Sequence, residues 1–153
     1  MSIYYNVNPV AQTSSNTCWH ASACMIWWHW QGVTGRQGPM NTLANKWSAD
    51  LPIAISDFVD LAKKSGLKAL SPKPAQYSSG YLELLLRNQG PLWCAGKWYG
   101  PGHIIVLTGV QGDRVFINDP DGGVKKSHSV GWFNTHLDNW AQGCLMYKDP
   151  FSY

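Results

Sequence analysis

The chain has 153 residues, 44% of them hydrophobic and 14% charged, with a net charge of +3. That length suits one domain over 1–153 with a core of its own, and the apolar content excludes a disordered chain. Lysines and arginines are scattered, with no basic run beyond Lys125-Lys126, which argues against nucleic acid as a partner.

The first residues, "MSIYYNVNPVAQ", lack the basic start and apolar core of a signal peptide, and read as extended or irregular with Pro9 limiting helix. Ser14, Ser15, Asn16 and Thr17 are all N-cap types, and "CWHASACMIWWHWQ" then runs without a breaker to Gly32. This predicts a helix from Cys18 to Gln31 with Ala21, Cys24, Met25 and Trp28 on its buried side. Its apolar stretch is too short to span a bilayer, so no membrane partner is expected. "NTLANKWSA", 41–49, predicts a short helix, and Ser56 is placed to cap "DFVDLAKKSG", with Phe58, Val59, Leu61 and Ala62 on one side. "LKALSPKPAQ" reads as extended, and Ser78 or Ser79 caps a third helix, "GYLELLLRNQG".

After Pro91 the character changes. "LWCAGKW", "HIIVLTGV", "RVFIND" and "CLMYK" are short, rich in β-branched and aromatic residues, and separated by turn signals, as antiparallel strands are. "VGWFNTHLDNW" predicts a short helix before the last strand. A helical first half and a β second half, without repeats or a linker, predict an α+β domain with its groove between the halves.

Four cysteines, Cys18, Cys24, Cys94 and Cys144, lack the spacing of a zinc site, and without a secretory signal they read as free thiols. No metal and no cofactor is expected. A cysteine in the first turn of a helix lies in the positive end of its macrodipole, which favours thiolate, the nucleophilic form. Cys18 stands there. Cys24 lies six residues on, about 600° around the helix, and reads as a small buried hydrophobe.

Five histidines could serve as its base. His20 points about 100° away from Cys18, His29 lies inside the helix, and His128 and His136 have no patterned partner. His103 follows the turn "YGPG" and opens a strand. If that strand turns near Gln111 or Gly112, His103 falls opposite residues 119 to 121, which brings Asp119 beside it to orient the imidazole. Asn118 is the rival orienter, one position away and facing the other side. Gln12 is either an ordinary loop residue or a side-chain donor to an oxyanion, with the Cys18 N–H as a second donor.

Gln12, five residues and then Cys18-Trp19 at a helix start resembles the papain-like cysteine proteases, as does Gly102-His103 with Asp119 sixteen residues later. "CWHASACMIWW", "GHIIVLTGV" and "VFINDP" most resemble the compact bacterial effector proteases of the avirulence-protein type. The bacteriocin-processing peptidase domains share the order of Gln-x5-Cys, His and Asp-Pro, but usually flank the cysteine with an acidic residue and glycine, where Thr17 and Trp19 stand here. The resemblance implies a papain-like fold, with a helical lobe and an antiparallel β lobe on either side of a cleft. It implies Cys18 as nucleophile, His103 as base and then acid, Asp119 as orienter and Gln12 as oxyanion donor. Trp19, Trp98 and Tyr99 are candidates for the cleft wall, with core or lid packing an equal reading of Trp98 and Tyr99.

The leading expectation is a cysteine endopeptidase that cleaves a protein or peptide substrate through a thioester. As a secreted effector or toxin, it would be made in a bacterial cytoplasm and delivered by a specialised secretion system, with an immunity protein or a secretion carrier as partner. An amidase or transglutaminase-like acyl transferase would use the same residues on another bond. A binding module on a degenerate protease scaffold is the non-enzymatic alternative, and the intact four-residue set argues against it.

Overall fold

The computed structural model describes residues 2–41 and 43–152. Helix α1 spans Cys18–Thr34, three residues beyond the predicted end. Gly32 does not stop it, because a lone interior glycine costs only about 1 kcal/mol. The stop is Gly35, whose φ of +70° lets its N–H reach the Gln31 carbonyl. At the other end no side chain caps the first turn, contrary to expectation. Ser14 and Thr17 bond each other instead, at 3.2 Å.

The buried face of α1 also differs from the predicted one. Trp19, Ser22, Ala23 and Ile26 turn inward together with Ala21 and Met25, while Trp28 is 54% exposed. An almost wholly apolar helix carries little information about which side faces in, so the sheet it packs on decides. Burial of Met25 and Ile26 stabilises the helix-sheet contact by about 2 kcal/mol each.

Helix α2 is Ala44–Ser48, inside the predicted span, whose Thr42 lies outside the described residues. A 3-10 turn, Ile55–Asp57, leads into α3, Phe58–Ser65, so the chain enters through Asp57 and not through Ser56. Asp57 accepts from the Ala54 N–H at 2.8 Å. Phe58, Leu61 and Ala62 are buried, and Val59 faces out. Helix α4, Ser79–Gln89, is capped by the Ser78 hydroxyl, which accepts from the Tyr81 N–H.

The strands are β1 (Ser2–Tyr4), β2 (Leu67–Ala69), β3 (Leu92–Gly96), β4 (His103–Gln111), β5 (Arg114–Asp119), β6 (Val124–Ser129) and β7 (Leu145–Lys148), with α5 (Val130–His136) before the last. They form one antiparallel sheet in the order β2-β7-β3-β4-β5-β6, with β1 also on β4. The sequence reading names no strand over 124–129, because "VKKSHS" has no apolar alternation and β6 is an edge strand. The segments 2–4 and 67–69 fall in stretches read only as extended or irregular. Each becomes a strand by pairing with a distant partner, β4 or β7.

Strand β4 organises the sheet. Its first half pairs with β3, from Gly96↔His103 to Leu92↔Leu107, and its last three residues pair with β1 on that same edge. On its other edge the hairpin to β5 closes at Gln111↔Arg114, with Gly112 at φ +56° in the two-residue turn. Between Leu107 and Gly109 the register shifts by one residue, a β-bulge at Thr108. Gly109 is required there, since a Cβ would lie 2.7 Å from the Ile3 carbonyl of β1. Helix α1 packs on β4. The start of the helix and the start of the strand therefore meet at the same end of the fold.

Candidate active site

Cys18 is the first residue of α1 and half-buried, and His103 is the first residue of β4. The thiol lies beside the imidazole at the same cleft, close enough for its charge to act on the ring. On the imidazole's far side, Nε2 and Asp119 Oδ1 are 2.7 Å apart, so N–H donates to the carboxylate and Nδ1 is left for the thiol. Asp119 ends β5 and is 1% exposed, and it also accepts from the Asp121 N–H at 2.9 Å and from Lys126 Nζ at 2.8 Å. Asn118 faces the opposite side, where its amide donates to the Val7 carbonyl at 2.8 Å.

Burial alone would lower the His103 pKa. Hydrogen bonds with Asp119 and Cys18, and the negative charge of both, overcome it and raise the value to about 9. Burial would likewise raise the Asp119 pKa. Donation from His103, Lys126 and the Asp121 N–H carries it down to about 2. At neutral pH the pair is imidazolium and carboxylate.

The other thiols are poor nucleophiles. Burial pushes Cys24 up to about 11 and Cys94 well above its usual range, and it raises Cys144 despite the nearby Lys73. His20 sits 3.5 Å from Cys24 and stacks on Trp47, and burial lowers its pKa. Among the described residues no cluster of His, Cys, Asp or Glu could hold a metal ion.

Cys18 and His103 open onto a cleft of about 340 Å³. Its walls are apolar on one side, with Ile53, Ile55, Phe58 and Trp140, and polar at the rim, where Lys97 and Asp138 approach to 3.5 Å. A nucleophile, an imidazolium and a buried orienting carboxylate thus stand together beside a groove.

The sequence profile of a family described as "papain-like cysteine protease AvrRpt2" matches residues 1–138. The chain belongs to that family of papain-like cysteine proteases. It is a cysteine peptidase with an α+β papain-like fold. Among curated proteins none matches at a significant level. Among solved structures, the crystal structure of a double glycine motif protease from an AMS/PCAT transporter, in complex with the leader peptide, superposes with a TM-score of 0.59. It shares 20% identity and covers 94% of this chain and 91% of its own, a likeness of fold.

Within the peptidase, Gln12 is engaged elsewhere in this structure, and the expectation for Trp98 needs correction. Gln12 Nε2 donates to the Ser14 and Ser15 carbonyls at 2.8 and 3.0 Å, so both amide hydrogens brace the loop before Cys18 rather than face the cleft. Trp98 is 1% exposed and packs against Phe133 and Trp132, with its Nε1 donating to the Cys94 carbonyl. It is a core residue, because the chain turns inward at the end of β3, where Gly96 packs tightly against Trp98. Trp19 is also buried but does line the cleft floor, held by its Nε1 on the Leu51 carbonyl. Tyr99 is 45% exposed and lines a second hollow with Gln12, Ser15, His103 and Asp121.

Three features of the site escape sequence reasoning. Asp50, at φ +53°, holds the loop before the nucleophile by accepting from the Asn16 N–H at 3.1 Å. Trp140, 70% exposed, reaches the cleft from the connection between α5 and β7. Lys126 meets Asp119 from β6. Reading "PDGG" as the tight turn of a hairpin, and so "VKKSHS" as its return strand, was the signal available for Lys126. The other two depend on long-range packing and have no local signature.

Proposed function

We propose that this peptidase is an endopeptidase in which Cys18, His103 and Asp119 cleave a peptide bond through a thioester. An imidazolium beside a thiol favours thiolate. The Cys18 Sγ attacks the carbonyl carbon, and the oxyanion takes the Cys18 N–H at the helix start, where no side chain competes as a cap. As the C–N bond breaks, the imidazolium of His103 gives its proton to the leaving amine. His103 then takes a proton from water, whose oxygen attacks the thioester carbon; the C–S bond breaks to release a carboxylic acid, which gives its proton to solvent, and the thiolate and imidazolium are restored.

The observation that carries this reading is the His103–Asp119 pair aimed at Cys18 beside an open groove. The solved relative named above was crystallised with a leader peptide, which supports an extended peptide as the occupant of the groove here. Resemblance to avirulence-type effectors supports delivery of the protein from a bacterial cytoplasm by a specialised secretion system, as an effector or toxin with a carrier or immunity protein as partner.

Labelling with limiting iodoacetamide at pH 6, read by intact mass and peptide mapping, tests the site. One adduct on Cys18, lost in His103→Ala, is expected. Equal labelling of all four cysteines would refute an activated Cys18. Comparison of new protein N-termini in cells expressing wild type or Cys18→Ala then tests the endopeptidase reading, and no difference between the two would count against it.

Gln12 becomes an oxyanion donor in this scheme by releasing the Ser15 carbonyl and turning one N–H into the hollow it shares with His103. Gln12→Ala is then expected to lower kcat by about a hundredfold. A loss below about threefold would leave Gln12 only its bracing role.

A further inference from the structure

Asp119 meets two cations, and the mechanism above uses one. Strand β6 pairs with β5 so that Ile117 lies opposite Lys126, and Asp119 lies opposite Val124. Residues 117 and 119 share a face, so Lys126 is the diagonal neighbour of Asp119 on the side where His103 also lies. Its ammonium donates to Oδ2 at 2.8 Å, while Oδ1 takes His103 Nε2 and the Asp121 N–H. Each carboxylate oxygen has its own charged partner.

The ammonium is also held from its other side. It lies 4.2 Å over the Tyr99 ring, a cation–π contact. The Tyr99 hydroxyl is hydrogen-bonded to His128 Nε2 at 2.9 Å, and His128 stacks on Trp132 at 3.7 Å and 11°. A lysine serving only solubility would not be expected to sit between a buried carboxylate and an aromatic ladder.

We propose that Lys126 is a positioning residue for the reaction, acting through Asp119: it presents Oδ1 to His103 and offsets part of the carboxylate charge, keeping the imidazolium able to release its proton. The physical need follows from the cycle. A buried carboxylate facing only His103 would bind the imidazolium proton too tightly, weakening the acid that must protonate the leaving amine. Once that proton has gone, the same carboxylate would face a neutral ring with no counter-charge, and Lys126 keeps it ionised. Hydrogen bonding to Asp119 is the largest of the effects that raise the Lys126 pKa, so the cation persists through the cycle.

The inference rests on the Cys18–His103–Asp119 reading, and the test separates the two. The groups facing this cluster are Cys18 from α1, Tyr99 from the β3–β4 connection, Asp119 at the end of β5, Asp121 in the turn after it, and His128 on β6. Arg114 and His136 act on His128 in turn. Burial first, then Arg114, Lys126 and His136, lower the His128 pKa, so it titrates on the acid side and cannot mimic a change in His103 on the basic side.

The measurement is the NMR titration of the His103 ring, alongside the rate of Cys18 alkylation by iodoacetamide against pH. Lys126→Met is expected to move the His103 midpoint up by about one pH unit, and Lys126→Arg to restore it. Lys126 is partly exposed, so the fold is expected to survive the loss of its charge. Should the Lys126→Met side chain perturb packing, Tyr99→Leu serves as the second variant and gives a smaller shift in the same direction. An unchanged or lowered midpoint in Lys126→Met, with Cys18 still selectively alkylated, overturns this role alone. No selective alkylation in the wild type would overturn it together with the catalytic reading.

Discussion

Cys18→Ala is expected to remove peptidase activity, by on the order of 10⁵-fold or more, with little change in thermal stability. Among the described residues the thiol is the one nucleophile placed to form the thioester, and its half-buried position against the core makes truncation to alanine a small packing loss. Cys24→Ala serves as the contrast. Cys24 has a pKa pushed to about 11 by burial and is paired with a His20 that burial keeps neutral, so its loss is expected to leave turnover within about twofold. The assay is cleavage of a peptide pool by each purified variant, with melting temperatures measured beside it. Residual activity in Cys18→Ala above about one percent of wild type would move the nucleophile elsewhere.

Asp119→Asn is expected to be the next most damaging change. It keeps the shape of the side chain but removes the charge that His103 and Lys126 share, leaving the Lys126 ammonium without its anion. A kcat about 10⁴-fold lower is expected, together with a stability loss of about 3 kcal/mol. The pH dependence of stability carried by His103 should weaken. In the wild type the raised His103 stabilises the fold fully below its ordinary 6.5, and that contribution fades as pH rises through about 9. The depressed Asp119 contributes above its ordinary 3.8 and loses its contribution as pH falls through about 2. In the variant only Cys18 is left to oppose the burial of His103, so the ring titrates lower than in the wild type and its contribution to stability between pH 7 and pH 9 shrinks. Urea unfolding at pH 5, 7 and 9 distinguishes these cases. A variant whose stability still falls between pH 7 and pH 9 as the wild type's does would show that Asp119 is not what holds the proton on His103.

The elements most legible in the amino-acid order are those with strong local signals. Gly66 and Gly90 end α3 and α4, and the β-branched and aromatic runs "HIIVLTGV" and "RVFIND" with the turn at Gly112 specify a hairpin. The edge strand β6 was not legible, because its outward polar residues bury little and it forms only by pairing with β5. Nor was the buried face of α1, where apolar residues lie around most of the helix and β4 selects one side.

The candidate site divides along the same line. Which residues carry reactive chemistry, and in what order, follows from local chemistry alone: a cysteine at a helix start, a histidine opening a strand, and a carboxylate at the next strand's end. Whether Asp119 or Asn118 meets His103 does not. Counting back from the turn at Gln111↔Arg114 with an unbroken register would place Asn118 on the face of His103. The extra residue at Thr108 reverses the alternation, so that Val106 pairs with Asn118 and Asp119 turns to the imidazole. That bulge forms where β1 joins the edge of β4: the Tyr5 N–H bonds the Thr108 carbonyl at 2.9 Å, and Gly109 admits the β1 backbone. A segment about a hundred residues away in the chain therefore decides which side chain faces the histidine, because strand register is a property of all the partners a strand has and not of its own residues.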